Sequence, residues 1–430
     1  MARMLALGLR VDLLLALVLA ITACGEAGGD VAASGGAVAA IPPGERESTL
    51  GPFLAQHWQL PVALQGEPPA DFAEAERSLD PATCGACHPK QHAEWSTSLH
   101  AAAYSPGLAA QLIDGELAHP SEVRSCQSCH TPLAEQIPFN PALGANPAFD
   151  PQLRAQGIPC AGCHVRRHQY YGPPRRADAA AVPEPVPHGG FEVREEYLQS
   201  RFCAECHQFF DDPGVNGKPI ENTFAEWQQS PQAAVGRQCQ DCHMPDRAHL
   251  WRGIHDPEMV RQAVDVDLVG VDLAGERLVA SLVLSNRDVG HAFPTYVTAR
   301  VFLAIYQVDA SDRELPGTRV EGTIGREVDF GRGVELFDTR VLPRESVRLD
   351  YALAARTSAA GLVGRVTVDP DHHYRGLFDL LRTSFDHPEA LGMIEEARRQ
   401  ISDSRYTLTE IYRPLDLPLR TRAAGGGAGD

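Results

Sequence analysis

The alternation of apolar and polar positions changes character part-way along this chain. From Val264 onward it has period two: VDVDL at 264–268, RLVASLVLS at 277–285, ARVFLAIYQV at 299–308, SVRLDYALA at 346–354 and GRVTVD at 364–369. A strand sends successive side chains to opposite faces, so such runs bury one face and wet the other. With turns such as DLAGE and ELPGT between them, they predict an antiparallel β-sandwich over 263–370. HPEALGMIEEARRQI at 387–401 has helical spacing, which predicts a C-terminal helical extension over 371–415 packed on the sheet, then a disordered tail at 416–430. Residues 51–262 read instead as loops and short helices, so the fold class expected is α+β and multidomain.

The N-terminus has a different pattern. In MARMLALGLRVDLLLALVLAITACG, Arg3 and Arg10 precede an apolar run from Leu13 to Ile21 and then small residues. This is the layout of an export signal, expected over 1–23, and is too short for a spanning helix. Ile21-Thr22-Ala23-Cys24-Gly25 resembles a bacterial lipobox, which implies lipidation of Cys24 and attachment to a membrane. An ordinary signal peptide cut nearby is the alternative. GEAGGDVAASGGAVAAIPPG, at 25–44, has too few bulky apolar groups for a core, and a flexible tether is expected over 24–50.

Composition narrows the partners. At 430 residues, 43% hydrophobic and 22% charged, the chain is an ordinary folded protein in content, but its formal charge is −18. Phosphate binding needs a basic surface, so nucleic acid is excluded as a partner. Redox partner proteins with basic docking surfaces suit such a chain better.

Cysteine supplies the candidate chemistry. Of eleven cysteines, ten remain once Cys24 is set aside, and all ten fall into five copies of C-x-x-C-H. These are Cys84, Cys87 and His88; Cys126, Cys129 and His130; Cys160, Cys163 and His164; Cys203, Cys206 and His207; and Cys239, Cys242 and His243. Two thiols three positions apart can each add across a vinyl group of one haem, and the histidine that follows then lies under the iron as proximal ligand. Structural zinc and a disulfide framework are the competing readings. Neither requires histidine after every second cysteine. Five covalent haem c groups are therefore expected, and they account for the loop-rich character of 51–262, because haem supplies the apolar core that the polypeptide wraps.

Seventeen histidines leave twelve that are not proximal. His100 and His255 each lie twelve residues after a proximal histidine, His88 and His243. Further candidates for the distal side of an iron are His188 in VPHGGF, His249, and His291 in GHAFPT; His119 and His168 are weaker. At least one of His249 and His255 is expected to serve a haem other than the fifth. Met244 adjoins His243 and cannot swing to the far side of the same iron. Bis-histidine ligation is the expectation, which implies low potentials. HAEWSTS at 92–98 and FAEWQQS at 224–230 also share Glu-Trp-x-x-Ser, and Trp95 and Trp227 either pack on a porphyrin or are buried helix tryptophans.

CGACHPKQHAEWSTSLHAAA resembles the opening haem motif of the cytochrome c-554 family of bacterial multihaem cytochromes, related to hydroxylamine oxidoreductase. The resemblance spans roughly residues 81–256. It implies that His100 serves a neighbouring haem in a stacked pair, typically the third. It does not carry over wholesale, since the family's namesake is tetrahaem and this chain has five motifs and a further region.

Hydrolytic constellations are missing: the chain has no G-x-S-x-G, H-E-x-x-H or phosphate loop, and no catalytic residue is assigned. His372 and His373, near Asp369 and Asp371, are expected in a solvated turn. Two functions remain open. One is an electron carrier with all irons six-coordinate. The other is an oxidoreductase acting on hydroxylamine or nitrite at one open haem. The absence of a C-x-x-C-K motif and the surplus of histidines favour the first. The expected location is periplasmic or at the cell surface.

Overall fold

The computed structural model describes residues 38–113, 120–140, 144–179, 181–212 and 214–415. The expected signal at 1–23, Cys24, His119 and the tail at 416–430 lie outside the described residues.

The architecture is α+β, and its β part is built first from alternation. Its strands are β1 (Val264–Ala274), β2 (Arg277–Asn286), β3 (Arg300–Val308), β4 (Val320–Ile324), β5 (Arg326–Asp329), β6 (Val334–Asp338), β7 (Ser346–Ala354), β8 (Gly361–Asp369) and β9 (Tyr406–Pro414). Antiparallel β7, β2 and β1 form one sheet, β9, β8, β3 and β4 a second, and β5 pairs with β6 as a hairpin. The register sets Leu282 between Leu349 and Leu268 in the first sheet and Val366 opposite Leu303 in the second. These faces meet in one continuous apolar cluster, the core of a sandwich. Each such leucine taken from water contributes about 1.5–3 kcal/mol.

Two expectations for the C-terminus need correction. Residues 371–415 are not wholly helical: after α2 (His372–Ser384) and α3 (Pro388–Gln400), the chain returns to the second sheet as edge strand β9. An edge strand buries little, and here Leu408 alone is fully buried, so its alternation is faint. Nor does α3 pack on the sheet. Its Ala390, Ile394 and Ala397 meet Phe378 and Leu381 of α2 and Ala110 of α1 (Pro106–Leu112). Gly107 admits this contact, because a Cβ there would stand 2.5 Å from the Phe378 ring. His372 and His373 consequently open a helix instead of sitting in a free turn.

Between 46 and 262 the chain is mostly short helices and loops, with, among the described residues, five strands of two to four residues between Phe139 and Val193. Proline at the first helical position starts many of them, among them Pro81, Pro89, Pro106 and Pro257, where the missing N–H costs nothing. The order begins earlier than the tether predicted: Arg46–Leu50 is helical, Leu50 is fully buried with Leu54 and Trp58, and Arg46 pairs with Glu205 at 2.7 Å. Among the described residues no helix is long and apolar enough to cross a membrane.

Buried charge joins the two parts. Glu226, from the first, accepts from Arg340 at 3.0 Å and from Thr295 at 2.8 Å, and Arg340 also pairs with Asp338 at 2.9 Å. The Arg326 guanidinium is buried against the carbonyls of Val215, Lys218 and Pro219.

Candidate metal centres

All five C-x-x-C-H segments fall on or beside short helices. Cys160–His164 and Cys239–His243 are single helical turns, Cys126 and Cys129 end the helix Pro120–His130, and Cys84 lies in Pro81–Gly85. Residues three apart share a helix face, so each pair of thiols points the same way. The ten cysteines are free thiols.

The motifs lie side by side, though not in chain order. Thiols come within interaction range of one another between the first and third motifs (Cys84 with Cys160), the second and fourth (Cys129 with Cys206), and the fourth and fifth (Cys203 with Cys239). Cys163 of the third motif lies close enough to Cys203 and Cys206 of the fourth to raise both thiols, a minor effect beside those thiol interactions and burial. The fourth motif is thus the junction of the group.

Three of the proximal imidazoles are oriented by backbone carbonyls. Nδ1 of His130 lies 2.7 Å from the Ala103 carbonyl, that of His164 2.8 Å from Tyr171 O, and that of His243 2.6 Å from Arg252 O. A carbonyl can only accept, so the proton is on Nδ1 and the Nε2 lone pair is left for a metal. Three non-proximal histidines are arranged alike: His188 on Gly190 O at 2.8 Å, His249 on Arg247 O at 3.0 Å and His291 on Ala292 O at 2.9 Å.

Three pairs of rings, each of one proximal and one non-proximal histidine, face each other across segments. His164 and His249 have centroids 6.3 Å apart with planes 33° from parallel, His243 and His291 6.3 Å and 11°, and His207 and His100 6.4 Å and 51°. Two metal–imidazole bonds of about 2 Å, with about 1 Å from each ligating nitrogen to its ring centre, put two rings that share one metal about 6 Å apart. The donors therefore fit an iron held between axial imidazoles. Among the described residues no group of three or more histidine, cysteine or acidic side chains is arranged to share a bare metal ion. His188 lies close enough to His88 to add to the lowering that burial imposes on that ring. It is braced by stacking on Tyr170 at 4.1 Å, with its own N–H donated to Glu76 at 2.8 Å.

Electrostatics keep the rings neutral. Burial pushes His100 down to about 3, helped by His207, His243 and His249. Burial takes His164, His207 and His291 down to about 4. A neutral imidazole is the ligating form, so each is ready to bind metal at neutral pH.

Two sequence expectations about the distal histidines change. His255 does not reach a proximal imidazole: its Nε2 lies 3.2 Å from both carboxylate oxygens of Asp371, because the turn after Trp251 carries it towards α2. His100 faces the proximal ring of the fourth motif, not that of the third, which His249 faces instead. His168 is buried on Gly66 O at 3.0 Å. Sequence reasoning missed Trp251, whose ring meets His100 at 4.6 Å and His249 at 5.2 Å, although its position between two candidate histidines was a signal.

Five attachment motifs on such a scaffold, with imidazoles facing in pairs, are the arrangement that covalently bound haem c in a multihaem c-type cytochrome requires. Residues 83–165, which contain the first three motifs, match the family described as cytochrome c554 and c-prime. The fold is similar to that of a penta-haem cytochrome c552 from Thermochromatium tepidum, with a TM-score of 0.55 and 18% identity over 79% of this chain and 100% of that one. No curated protein matches the chain.

Proposed function

We propose that this chain is an exported, lipid-anchored pentahaem electron carrier whose axial histidines are exchanged between segments. The observation that carries the reading is the set of three facing imidazole pairs, each joining a proximal histidine to a histidine from a different segment. His188, which lies near His88, is assigned to that centre by the same reading. Haem iron bound there supplies a one-electron couple, lowered in potential by two imidazoles. The chain's part is to hold the motifs edge to edge, from the first through the third to the fourth and from there to the second and fifth, and to keep each ring neutral and oriented. Cys24 carries the lipid and the residues after it form the tether, so the acidic surface meets basic redox partners in the periplasm or at the cell surface.

Protein matured with haem-attachment machinery should contain five haems per chain by mass spectrometry, and four would refute the count. His249→Ala should open one iron, seen as a new high-spin paramagnetic resonance signal and as carbon monoxide binding to the reduced form. An unchanged spectrum would refute the crossed pairing. Cys24→Ala should move the protein to the soluble fraction.

A second reading attaches to the second motif. Among the described residues the His130 ring faces no other imidazole. The phenol of Tyr296, raised by burial and by the nearby Tyr374, Glu221, Cys126 and Cys129, lies beside that attachment site. Under this reading the second haem keeps an open position for a small nitrogen compound such as hydroxylamine or nitrite, and the wild-type protein itself binds carbon monoxide.

A further inference from the structure

The Glu-Trp-x-x-Ser segment occurs twice, at 94–98 and 226–230, and its two copies make the same bonds. Trp95 Nε1–H donates to the Ile158 carbonyl at 2.8 Å, and Trp227 Nε1–H donates to the Arg237 carbonyl at 3.0 Å. Each carbonyl stands two residues before a C-x-x-C-H motif, the third at Cys160 and the fifth at Cys239. The glutamates reach the other side of those same two centres. Glu94 Oε2 accepts the His249 backbone N–H at 2.9 Å, and Glu226 Oε2 accepts the N–H of Ala292, next to His291, at 3.0 Å. Even the serines match: Ser98 Oγ accepts from Ala101 N–H at 3.4 Å and Ser230 Oγ from Ala233 N–H at 3.2 Å.

The partners are far apart along the chain. In the first copy they lie 63 and 155 residues from the dipeptide, and in the second 10 and 66. Local helix geometry therefore does not create the coincidence. In both copies the tryptophan grips the segment that delivers the proximal histidine, and the glutamate grips the segment that delivers the histidine facing it. Each carboxylate also has its own cation, Lys90 at 2.8 Å from Glu94 and Arg340 at 3.0 Å from Glu226.

We infer that Glu94-Trp95 and Glu226-Trp227 are two copies of one positioning device, which sets the gap and tilt between the facing imidazoles of the third and fifth centres. The inference rests on the axial pairing proposed above. One rigid dipeptide bridging both sides of a centre fixes the separation of its ligands more firmly than two unrelated supports, because neither side can then drift without the other. Groups that orient a metal ligand in this way are worth about ten- to hundredfold in the ligand's hold on the metal.

The test uses the full-length, haem-loaded protein. Glu94→Ala removes the acceptor for the His249 N–H, whereas Glu94→Gln keeps an oxygen there. In Glu94→Ala the hold of His249 should weaken about ten- to hundredfold. Carbon monoxide should then compete for one reduced haem per chain, and that haem's midpoint potential should shift. Glu94→Gln should restore wild-type behaviour, and Trp95→Phe, which loses only the N–H donor, should move the potential of the same haem. Glu226→Gln should leave the third centre untouched. His249→Ala identifies the haem concerned. If His249→Ala opens a haem while Glu94→Ala leaves every spin state and potential unchanged, the positioning device is refuted and the axial pairing stands. If His249→Ala changes nothing, the axial pairing fails first. Should Glu94→Ala not mature, Glu94→Asp, one methylene shorter, must give an intermediate shift at the third centre, and a shift at the fifth instead refutes the device.

Discussion

Residues 264–414 bury leucine, valine and isoleucine from two sheets in one continuous cluster, while residues 46–262 have only small apolar groups around Leu54 and Leu133. The α-helices described in the first part run from four to eleven residues, lengths that are marginal in water without strong tertiary support. Burial of apolar area must offset the entropy of ordering the chain, and only the β part has enough of its own. Under the function proposed above, the first part takes the balance from covalent haem. The dependence nevertheless runs both ways at the interface, because His291, carried just after β2 of the self-sufficient part, faces His243 of the dependent one.

The sharpest way to break this contrast is to withhold haem. Protein produced without attachment machinery should lose hydrogen-exchange protection across 46–262 while amides of β2, β3 and β8 stay protected; equal loss in both parts would abolish the distinction. All four tryptophans, Trp58, Trp95, Trp227 and Trp251, lie in the first part, so their fluorescence reports on it alone. Next in size is the charge that joins the parts. Arg340→Ala leaves Glu226 buried without its cation, at a cost of about 3–5 kcal/mol. Chemical denaturation followed by tryptophan emission and by far-ultraviolet circular dichroism should then separate into two transitions.

The smallest effect concerns pH. Burial, with Glu226 adding to it, pushes Glu221 from 4.5 up to about 7 against the hydrogen bond from Thr223. A carboxyl that holds its proton more tightly when folded contributes stability that is complete below 4.5 and lost as pH rises to about 7. Glu221→Gln should flatten the stability profile in that window by on the order of 3 kcal/mol. An unchanged slope would assign the window to other buried carboxyls.

Much of this was legible in residue order. Attachment motifs are local, since two thiols and an imidazole within five positions need only one helical turn to present them, and strands such as β2 and β7 announce themselves because alternation is a property of neighbours. β9 was hidden because an edge strand buries one leucine, and the helix of His372 was hidden because its apolar stripe answers to α1, distant in sequence. The duplicated Glu-Trp-x-x-Ser was visible, but its meaning was not, since its partners are carbonyls and amides that any sequence has.

By itself, then, the sequence determined what chemistry each short segment can perform: five C-x-x-C-H segments suited to covalent haem, imidazoles in surplus, and a chain that alternates into sheets. Which imidazole faces which was decided only by the tertiary structure. His249 meets His164 and His100 meets His207 because the intervening loops return to a common centre, and the 6.3–6.4 Å between facing rings is set by packing and backbone hydrogen bonds from both sides. Spacing along a chain constrains contacts within a turn or two of helix. Beyond that, loop entropy varies only slowly with length, so many partners cost nearly the same to bring together, and the choice among them falls to the fold.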